Sequence, residues 1–287
     1  MPGTIPLDGA APAHGGKAAT LGRLRRAGLP VPDGFVVPAS LEGPDLRAAV
    51  DGGLDGLGRH EPVAVRSSAA DEDGTHASAA GQYETVLGAV GAGDVVRAVA
   101  SCRASAAGPR ATAYRAATGG ACAAAGVAVA VVVQRLVDAR AAGVLFTGAP
   151  LTGGGRTTVE ASWGLGESVV QGAVDPDRWT VAAGRVVERR TGTKRTRVDR
   201  SPAEVTTSEV PAADRGRPCL DDATVLRVVA LGERVARLLG GPQDVEWAVD
   251  DDGAVWLLQA RPVTAALPAG RCERAFGPDS RAEQGQT

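Results

Sequence analysis

Apolar and polar positions alternate along residues 244–249 (Asp-Val-Glu-Trp-Ala-Val) and again along 254–261, with Asp252-Gly253 between the two runs. Alternation with period two predicts strands, and Asp-Gly between two such runs predicts a β-hairpin with a two-residue turn. With Asp252 and Gly253 as the central turn residues, Glu246 falls opposite Gln259 and Asp244 opposite Arg261, all four on one face. Trp247, Val249, Val255 and Leu258 fall on the other face or at its margin. Upstream, Gly15-Gly16-Lys17 opens a helical pattern with Ala18, Leu21 and Leu24 on one side, ending at Gly28 before Pro30 and Pro32. A second helical pattern runs from Asp94 to Thr118, interrupted at Gly108-Pro109. A third is capped by Asp221 or Asp222 and runs to Leu239, where Gly240-Gly241-Pro242 stops it.

Further strands are predicted at Phe35–Val37, Val63–Ser67, Val127–Val133, Gly143–Thr147, Thr157–Ser162, Trp179–Arg189 and Lys194–Val198. The Trp179–Arg189 segment is expected to turn at Ala183-Gly184, and Val127–Val133 is apolar enough to be buried on both faces. In the Val63–Ser67 strand, Arg66 faces away from Val63 and Val65. Between Ser67 and Gln82 lie only small and acidic residue types with no apolar run, a length that within a domain signals a functional or disordered loop. Residues 265–287 are polar and read as a loose tail. No internal repeat is visible. Helices and hairpins interleave, which predicts an α+β (mixed α/β) fold rather than a doubly wound parallel sheet.

The composition narrows the function classes. With 44% hydrophobic residues and a net charge of -2, a chain of 287 residues is expected to be globular, with one large or two modest domains. It is neither basic enough for nucleic-acid binding nor acidic enough for disorder. The amino-terminal residues lack a secretory pattern, and the apolar run from Ala121 to Val133 is too short and too small-residue-rich to span a bilayer. Cys102, Cys122, Cys219 and Cys272 show no metal-ligand spacing, and a cytoplasmic location with reduced thiols is expected. Lysine is scarce: Lys17 and Lys194 stand among many arginines. A compact ammonium on a flexible stem serves where a planar guanidinium does not, so both positions merit inspection.

Several segments suit phosphate chemistry. Glu246 facing the Gln259 carboxamide offers hard oxygen donors for Mg²⁺, with phosphates and waters completing the shell, and Arg261 beside them suits a polyphosphate. The same hairpin is also readable as a surface hairpin with a rim salt bridge. Gly15-Gly16 ahead of a helix favours an anion, to which Lys17 adds a point charge; a plain helix cap is the alternative. The Walker A spacing is absent. Arg66-Ser67-Ser68 with the Gly81-Gln82 loop can close over phosphates, or be a solvated arginine and a mobile loop. Gly164-Leu165-Gly166-Glu167 is either a third anion contact or a turn. Gln134, at the end of a buried strand, can face a purine edge or simply end the strand. His14, His60 and His76 share no metal spacing, and no Ser/His/Asp or Cys/His nucleophile arrangement is visible.

Taken in order, the blocks Gly15–Gly22, Gly28–Val37, Val63–Ala69, Ala80–Thr85, Val133–Val137, Gly143–Thr147, Glu160–Glu167, Asp244–Ala248 and Leu258–Pro262 resemble the ATP-binding domain of the pyruvate phosphate dikinase and phosphoenolpyruvate synthase family, which includes the rifamycin phosphotransferases. The resemblance spans roughly residues 14–264 and implies an ATP-grasp fold whose two lobes clasp Mg-ATP. It places an amino-terminal lobe at 1–120, a carboxy-terminal lobe at 121–264 and the tail at 265–287. It makes Lys17 and Arg66 phosphate ligands, puts Gly81, Gln82 and Thr85 in the phosphate-covering loop, and assigns adenine to Gln134 and the backbone through Val137. Glu246 and Gln259 become the Mg²⁺ ligands and Arg261 a phosphate contact. Lys17, Arg66 and Arg261 are then the catalytic cations.

In that family the phosphoryl group passes to a histidine on a swivelling domain. Neither that domain nor an acceptor domain is in this sequence, and the three histidines do not match the phosphocarrier motif. A separate phosphohistidine-domain protein is therefore one expected partner. A small-molecule acceptor phosphorylated directly is another, and a non-catalytic nucleotide-binding role is a third reading. No membrane or nucleic-acid partner is expected. Ala79 stands where many family members carry Phe, so the loop over the phosphates is expected to differ.

Overall fold

The computed structural model describes residues 3–69, 85–108, 129–148, 155–201 and 204–263. The predicted Ser67–Gln82 loop beyond residue 69, the second half of the Asp94–Thr118 helix and the polar tail lie outside the described residues.

Two antiparallel sheets dominate. The first has the order β1-β2-β5-β3-β4, formed by Ile5–Pro6 (β1), Gly34–Val37 (β2), Val63–Ser68 (β3), Thr85–Ala89 (β4) and Ala130–Arg135 (β5). The second has the order β13-β12-β6-β7-β8-β9. Its strands are Ala139–Phe146 (β6), Thr157–Trp163 (β7), Asp177–Ala182 (β8), Arg185–Arg190 (β9), Gln243–Asp250 (β12) and Val255–Pro262 (β13). A two-stranded ribbon of Thr196–Arg200 (β10) and Val205–Glu209 (β11) stands beside it. Although β5 lies beyond residue 120, it pairs between β2 and β3 in the first sheet. The apolar run Ala130–Val133 is explained by that central position, with helices packed on both faces.

Four longer helices cover the sheets: Gly16–Arg26 (α1), Gly43–Asp55 (α2), Gly91–Ala107 (α3) and Asp222–Leu239 (α4). Leu46, Val50 and Leu54 of α2 and Val95, Val99 and Cys102 of α3 pack on Val63, Val65, Val131 and Val133, forming the core of the first sheet. Val225, Val228, Val229 and Val235 of α4 pack on Leu145, Val159, Trp179, Val245, Trp247 and Leu257, forming the core of the second. The face of the first sheet opposite α2 and α3, part of it covered by α1, meets the face of the second sheet opposite α4 across a cleft. There Ala64, Leu136, Ala139, Ala142, Leu165, Ala248 and Leu258 form a third, small apolar cluster.

Local chemistry agrees with the predicted helix ends. Asp221, not Asp222, is the cap of α4: its side chain accepts from the Thr224 N–H at 2.8 Å, and Gly240 closes the helix in the left-handed region at φ 85°. The predicted Ala183-Gly184 turn joins β8 to β9, with both residues at positive φ.

The 244–261 hairpin forms, with a correction. Its loop has three residues, not two: Asp250 pairs with Ala254, and Gly253 takes the left-handed conformation at φ 79°. That places the strands one residue out of step with the prediction near the turn, so that Trp247 faces Leu257 and Val249 faces Val255. A β-bulge then restores the predicted register: Glu246 pairs with Gln259 and Asp244 with Arg261. The extra residue is Leu258, which the ladder leaves unpaired.

Candidate functional site

Backbone pairing sets out the floor of the cleft. Paired residues of neighbouring strands point to the same face. Across the second sheet one row therefore reads Gln259, Glu246, Val144, Glu160, Arg178. The row on one side of it reads Arg261, Asp244, Phe146, Thr158, Thr180, and on the other side Ala248 pairs with Ala142 and Ala142 with Ser162. The floor thus grades from small apolar residues, through a carboxylate facing a carboxamide, to an ion pair.

That ion pair is tight. Both Nε and Nη2 of Arg261 donate to Asp244 Oδ2, at 2.9 and 2.7 Å. Burial raises the Asp244 carboxyl above its ordinary value, with the Arg261 guanidinium pulling the other way and Glu246 and Glu160 adding to the rise. A pair this enclosed holds the guanidinium in one orientation.

The first sheet supplies the roof. Arg66 on β3 is only 9% exposed and crosses the cleft. Its Nη1 donates to the carbonyl of Leu258 at 3.0 Å, and its Nη2 lies 3.7 Å from Glu246 Oε2. The Leu258 carbonyl is available because Leu258 is the bulged residue. One irregularity in the hairpin therefore both restores the Glu246–Gln259 register and offers an acceptor to the opposite sheet.

Lys17 lies in the first turn of α1, whose start is seated on the end of β3. The Gly16 N–H donates to the Ala69 carbonyl at 3.0 Å and the Ala18 N–H to Ser68 Oγ at 3.0 Å. Gly15 has φ 86°, and a Cβ there would lie 2.2 Å from the Ser68 carbonyl oxygen, so only glycine allows the approach. The backbone of this helix start is thus a plain cap with its N–H groups at 15, 16 and 18 already used, the Gly15 N–H by Pro12. Those three N–H groups are not available to an anion. In the Gly164-Leu165-Gly166-Glu167 segment the N–H groups at 164 and 165 are likewise taken, by the carbonyls of Arg140 and Val198.

Gln134 ends β5 facing the apolar side of the cleft, 1% exposed, and its Nε2 has no hydrogen-bond partner among the described residues. With Val137, Leu136, Ala64, Ala142, Ala248 and Leu165 it lines a slot of about 20 Å³. An orphaned buried donor costs on the order of 1–3 kcal/mol, which a ligand acceptor in the slot would recover. The slot's apolar walls and unused donor match a purine edge in chemistry, while its volume falls short of the whole ring. Thr85, exposed, opens β4 opposite Arg66, while Gly81 and Gln82 lie outside the described residues.

The donor set also fits Mg²⁺. That ion takes one or two protein oxygens and leaves the rest of its shell to phosphate and water. Glu246 and Gln259 provide such a pair, and no cluster of three or more His, Cys, Asp or Glu side chains suited to a dedicated metal cage occurs among the described residues.

Two features were not foreseen. Glu160 and Arg178 continue the floor beyond Glu246, legible only once the sheet order is known. A cavity of about 480 Å³ lies behind Ala139, among Arg140, Trp163, Arg197, Asp199, Arg200, Asp214 and Arg217. Many of its charges are paired, through Arg197–Asp199, Arg217–Asp214 and the Arg200–Glu61 pair, while Arg140 Nε is buried with no hydrogen-bond partner among the described residues.

Comparison with known proteins follows the same lines. Residues 43–273 match the family model described as pyruvate phosphate dikinase, AMP/ATP-binding domain. A rifampicin phosphotransferase of Streptomyces is 44% identical, covering 78% of this chain and 26% of the relative. The prodigiosin synthesizing transferase PigC of Serratia marcescens is 39% identical, over 87% of this chain and 31% of the relative. A probable phosphoenolpyruvate synthase of Methanothermobacter thermautotrophicus is 36% identical, over 87% and 44%. The chain thus spans less than half the length of these curated relatives. Among solved structures, the D-alanine-D-alanine ligase of Coxiella burnetii aligns over 90% of this chain at TM-score 0.43 and 11% identity, too distant a likeness to carry weight.

Proposed function

Because the chain belongs to the pyruvate phosphate dikinase family, through its AMP/ATP-binding domain, we propose that it binds Mg-ATP in the cleft between its two sheets and passes a phosphoryl group to a histidine on a separate carrier domain. The observation that carries this reading is the convergence of Arg66 from one sheet with Glu246, Gln259 and the Asp244-held Arg261 from the other. In this reading the two lobes, divided near residue 120, are the jaws of an ATP-grasp fold.

Each residue has a physical task. The base lies against Ala64, Ala142 and Ala248, with Gln134 and the backbone through Val137 reading its edge. Glu246 and Gln259 hold Mg²⁺, which when bound neutralises phosphate charge and fixes the polyphosphate geometry. Arg66, Arg261 and Lys17 stabilise the charge that builds on the transferring and leaving oxygens, the main demand of phosphoryl transfer. Gly81, Gln82 and Thr85 cover the phosphates. Arg66 has one carbonyl and one carboxylate partner in the described structure, and the slot is too small for a purine. Entry of the nucleotide therefore requires the sheets to part and Arg66 to exchange Leu258 for phosphate. The buried thiols of Cys102 and Cys219 suit the reducing cytoplasm.

Product analysis tests the reading. The protein is incubated with Mg-ATP alone, with a separately expressed histidine-carrier domain, and with small-molecule acceptors. AMP and phosphate formed only with the carrier domain support the histidine route. ADP formed with a small molecule replaces it with direct kinase chemistry. ATP bound without turnover in every mixture reduces the domain to a nucleotide-binding module.

A further inference from the structure

The floor of the cleft holds more charge chemistry than Mg-ATP uses. Along the row through Glu246, one neighbour is Gln259 and the other is Val144, which is 9% exposed and belongs to none of the three apolar clusters. Beyond Val144 stands Glu160, two strand spacings from Glu246, or about 10 Å between backbones. Arg178 on the next strand is paired directly opposite Glu160 and binds it through Nε at 2.8 Å and Nη2 at 2.5 Å. Both contacts fall on Oε1, and no bond to Oε2 is found among the described residues. The Glu160 side chain is 20% exposed, and it is close enough to Asp244 to help raise that carboxyl.

We propose that Val144 and Glu160 form the seat of the phosphoryl acceptor, a neutral imidazole ring lying flat over Val144 and donating one N–H to Glu160. The proposal rests on the histidine-carrier reading above. The ring's other nitrogen then points towards the phosphate held over Glu246. The two strand spacings, roughly 10 Å, leave room for a ring between Glu160 and a phosphate on the Glu246 side. A carboxylate on the far nitrogen fixes the tautomer and keeps the attacking lone pair free. In the transfer step that lone pair forms the N–P bond, the P–O bond to the nucleotide breaks, and its electron pair leaves on the nucleotide oxygen. The positive charge gained by the ring is balanced by Glu160, which takes up the N–H proton. Arg178 aims Glu160 and acts as a positioning residue.

The alternative is an ordinary cross-strand ion pair that only steadies β7 against β8, worth about 0.2–1 kcal/mol. The experiment separates the two. Wild type, Glu160→Gln, Glu160→Asp and Val144→Phe are each given [β-³²P]ATP, Mg²⁺ and a histidine-carrier domain from a rifampicin phosphotransferase relative. Label on the carrier, ATP affinity and thermal stability are measured. Glu160→Gln is expected to slow labelling about 100-fold with ATP affinity within about twofold, the scale of losing one positioned acid–base group. Glu160→Asp recovers part of that rate, and Val144→Phe blocks labelling by filling the seat. Labelling by Glu160→Gln at close to the wild-type rate overturns the seat alone. Failure of the wild type to label the carrier while binding ATP overturns the histidine reading and the seat with it.

Discussion

Two ionic clusters in this molecule use the same side-chain types to opposite ends. In the cleft, Arg66 and Glu246 are 11% and 22% exposed and sit 3.7 Å apart, and each keeps hydrogen-bonding capacity in hand. Behind the sheet, Lys194 and Asp177 are 0% and 1% exposed and fully engaged. Lys194 donates to Asp177 Oδ1 and to the Gly192 carbonyl, while Asp177 accepts from the N–H groups of Gly192 and Cys219 at 2.9 and 2.7 Å. In the proposed function the first cluster trades partners with a ligand. The second is closed off from solvent and ties the 192–194 segment and Cys219 to β8. Scarcity singled out Lys17 and Lys194 alike in the sequence; burial separates them, placing one at the cleft-facing start of α1 and the other in a structural knot.

The largest effect should come from cutting the knot. Lys194→Met leaves Asp177 charged and buried without its counter-ion, and should cost about 3–5 kcal/mol of unfolding free energy in a denaturant titration. Adding Asp177→Leu removes the stranded charge but also the acceptor of two buried N–H groups, so it should restore only part of the loss. Full restoration would show that those N–H bonds contribute nothing. Burial and the neighbouring Asp177 push the Cys219 thiol well above its usual range, so it should resist alkylation at neutral pH until the knot opens.

The cleft should answer in the opposite currency of measurement, rate rather than stability. Glu246→Ala should lower turnover by at least about two orders of magnitude, the scale of one preorganised electrostatic group, while leaving the denaturant midpoint nearly unmoved. Near-normal turnover in that variant would sink the Mg²⁺ assignment. A large loss of stability instead would mean that the cleft charges are structural too, and the contrast between the clusters would fail.

How much of this was readable in advance follows from the range of the interactions involved. Helix ends set by neighbours in sequence were legible: the Gly28 stop after α1, the Asp221 cap and the Gly240 termination. Helix α2 was missed because Gly43-Pro44 at its start and Gly52-Gly53 within it read as loop, whereas burial of Leu46, Val50 and Leu54 against the first sheet overrides that local preference. The edge strands β4 and β11 were missed because their short, partly exposed runs carry little periodic signal. The hairpin is the most instructive case. Its functional pairs were placed correctly from a turn of the wrong length, because the Leu258 bulge compensates for the third loop residue. That bulge is held by Arg66, 192 positions away, and no local pattern encodes it. Glu160 and Arg178 escaped notice for the same reason: their place beside Glu246 depends on strand order.

The two helix starts allow a finer test of whether the cleft is insulated from the scaffold. Ser68 caps α1 from β3, and Ser68→Ala should cost about 1 kcal/mol while also weakening ATP binding, because in the proposed site the cap fixes the helix start that carries Lys17. Asp221 caps α4 on the outer face of the second sheet, so Asp221→Ala should cost a similar amount, about 1 kcal/mol, with ATP affinity unchanged. The two also differ in pH dependence, since the serine cap does not titrate. Hydrogen bonding from Thr224 lowers the Asp221 pKa below its ordinary 3.8, so the folded state binds the proton less readily than the unfolded chain. Its stabilisation is therefore present above the unfolded value and lost as the pH falls through the folded one. Unfolding free energies of wild type and Asp221→Ala should converge on acidification below that range, while wild type and Ser68→Ala stay apart. A gap between wild type and Asp221→Ala that persists in acid would mean that the helix is held by packing of Val225, Val228 and Val229 and that the aspartate acts through something other than its charge.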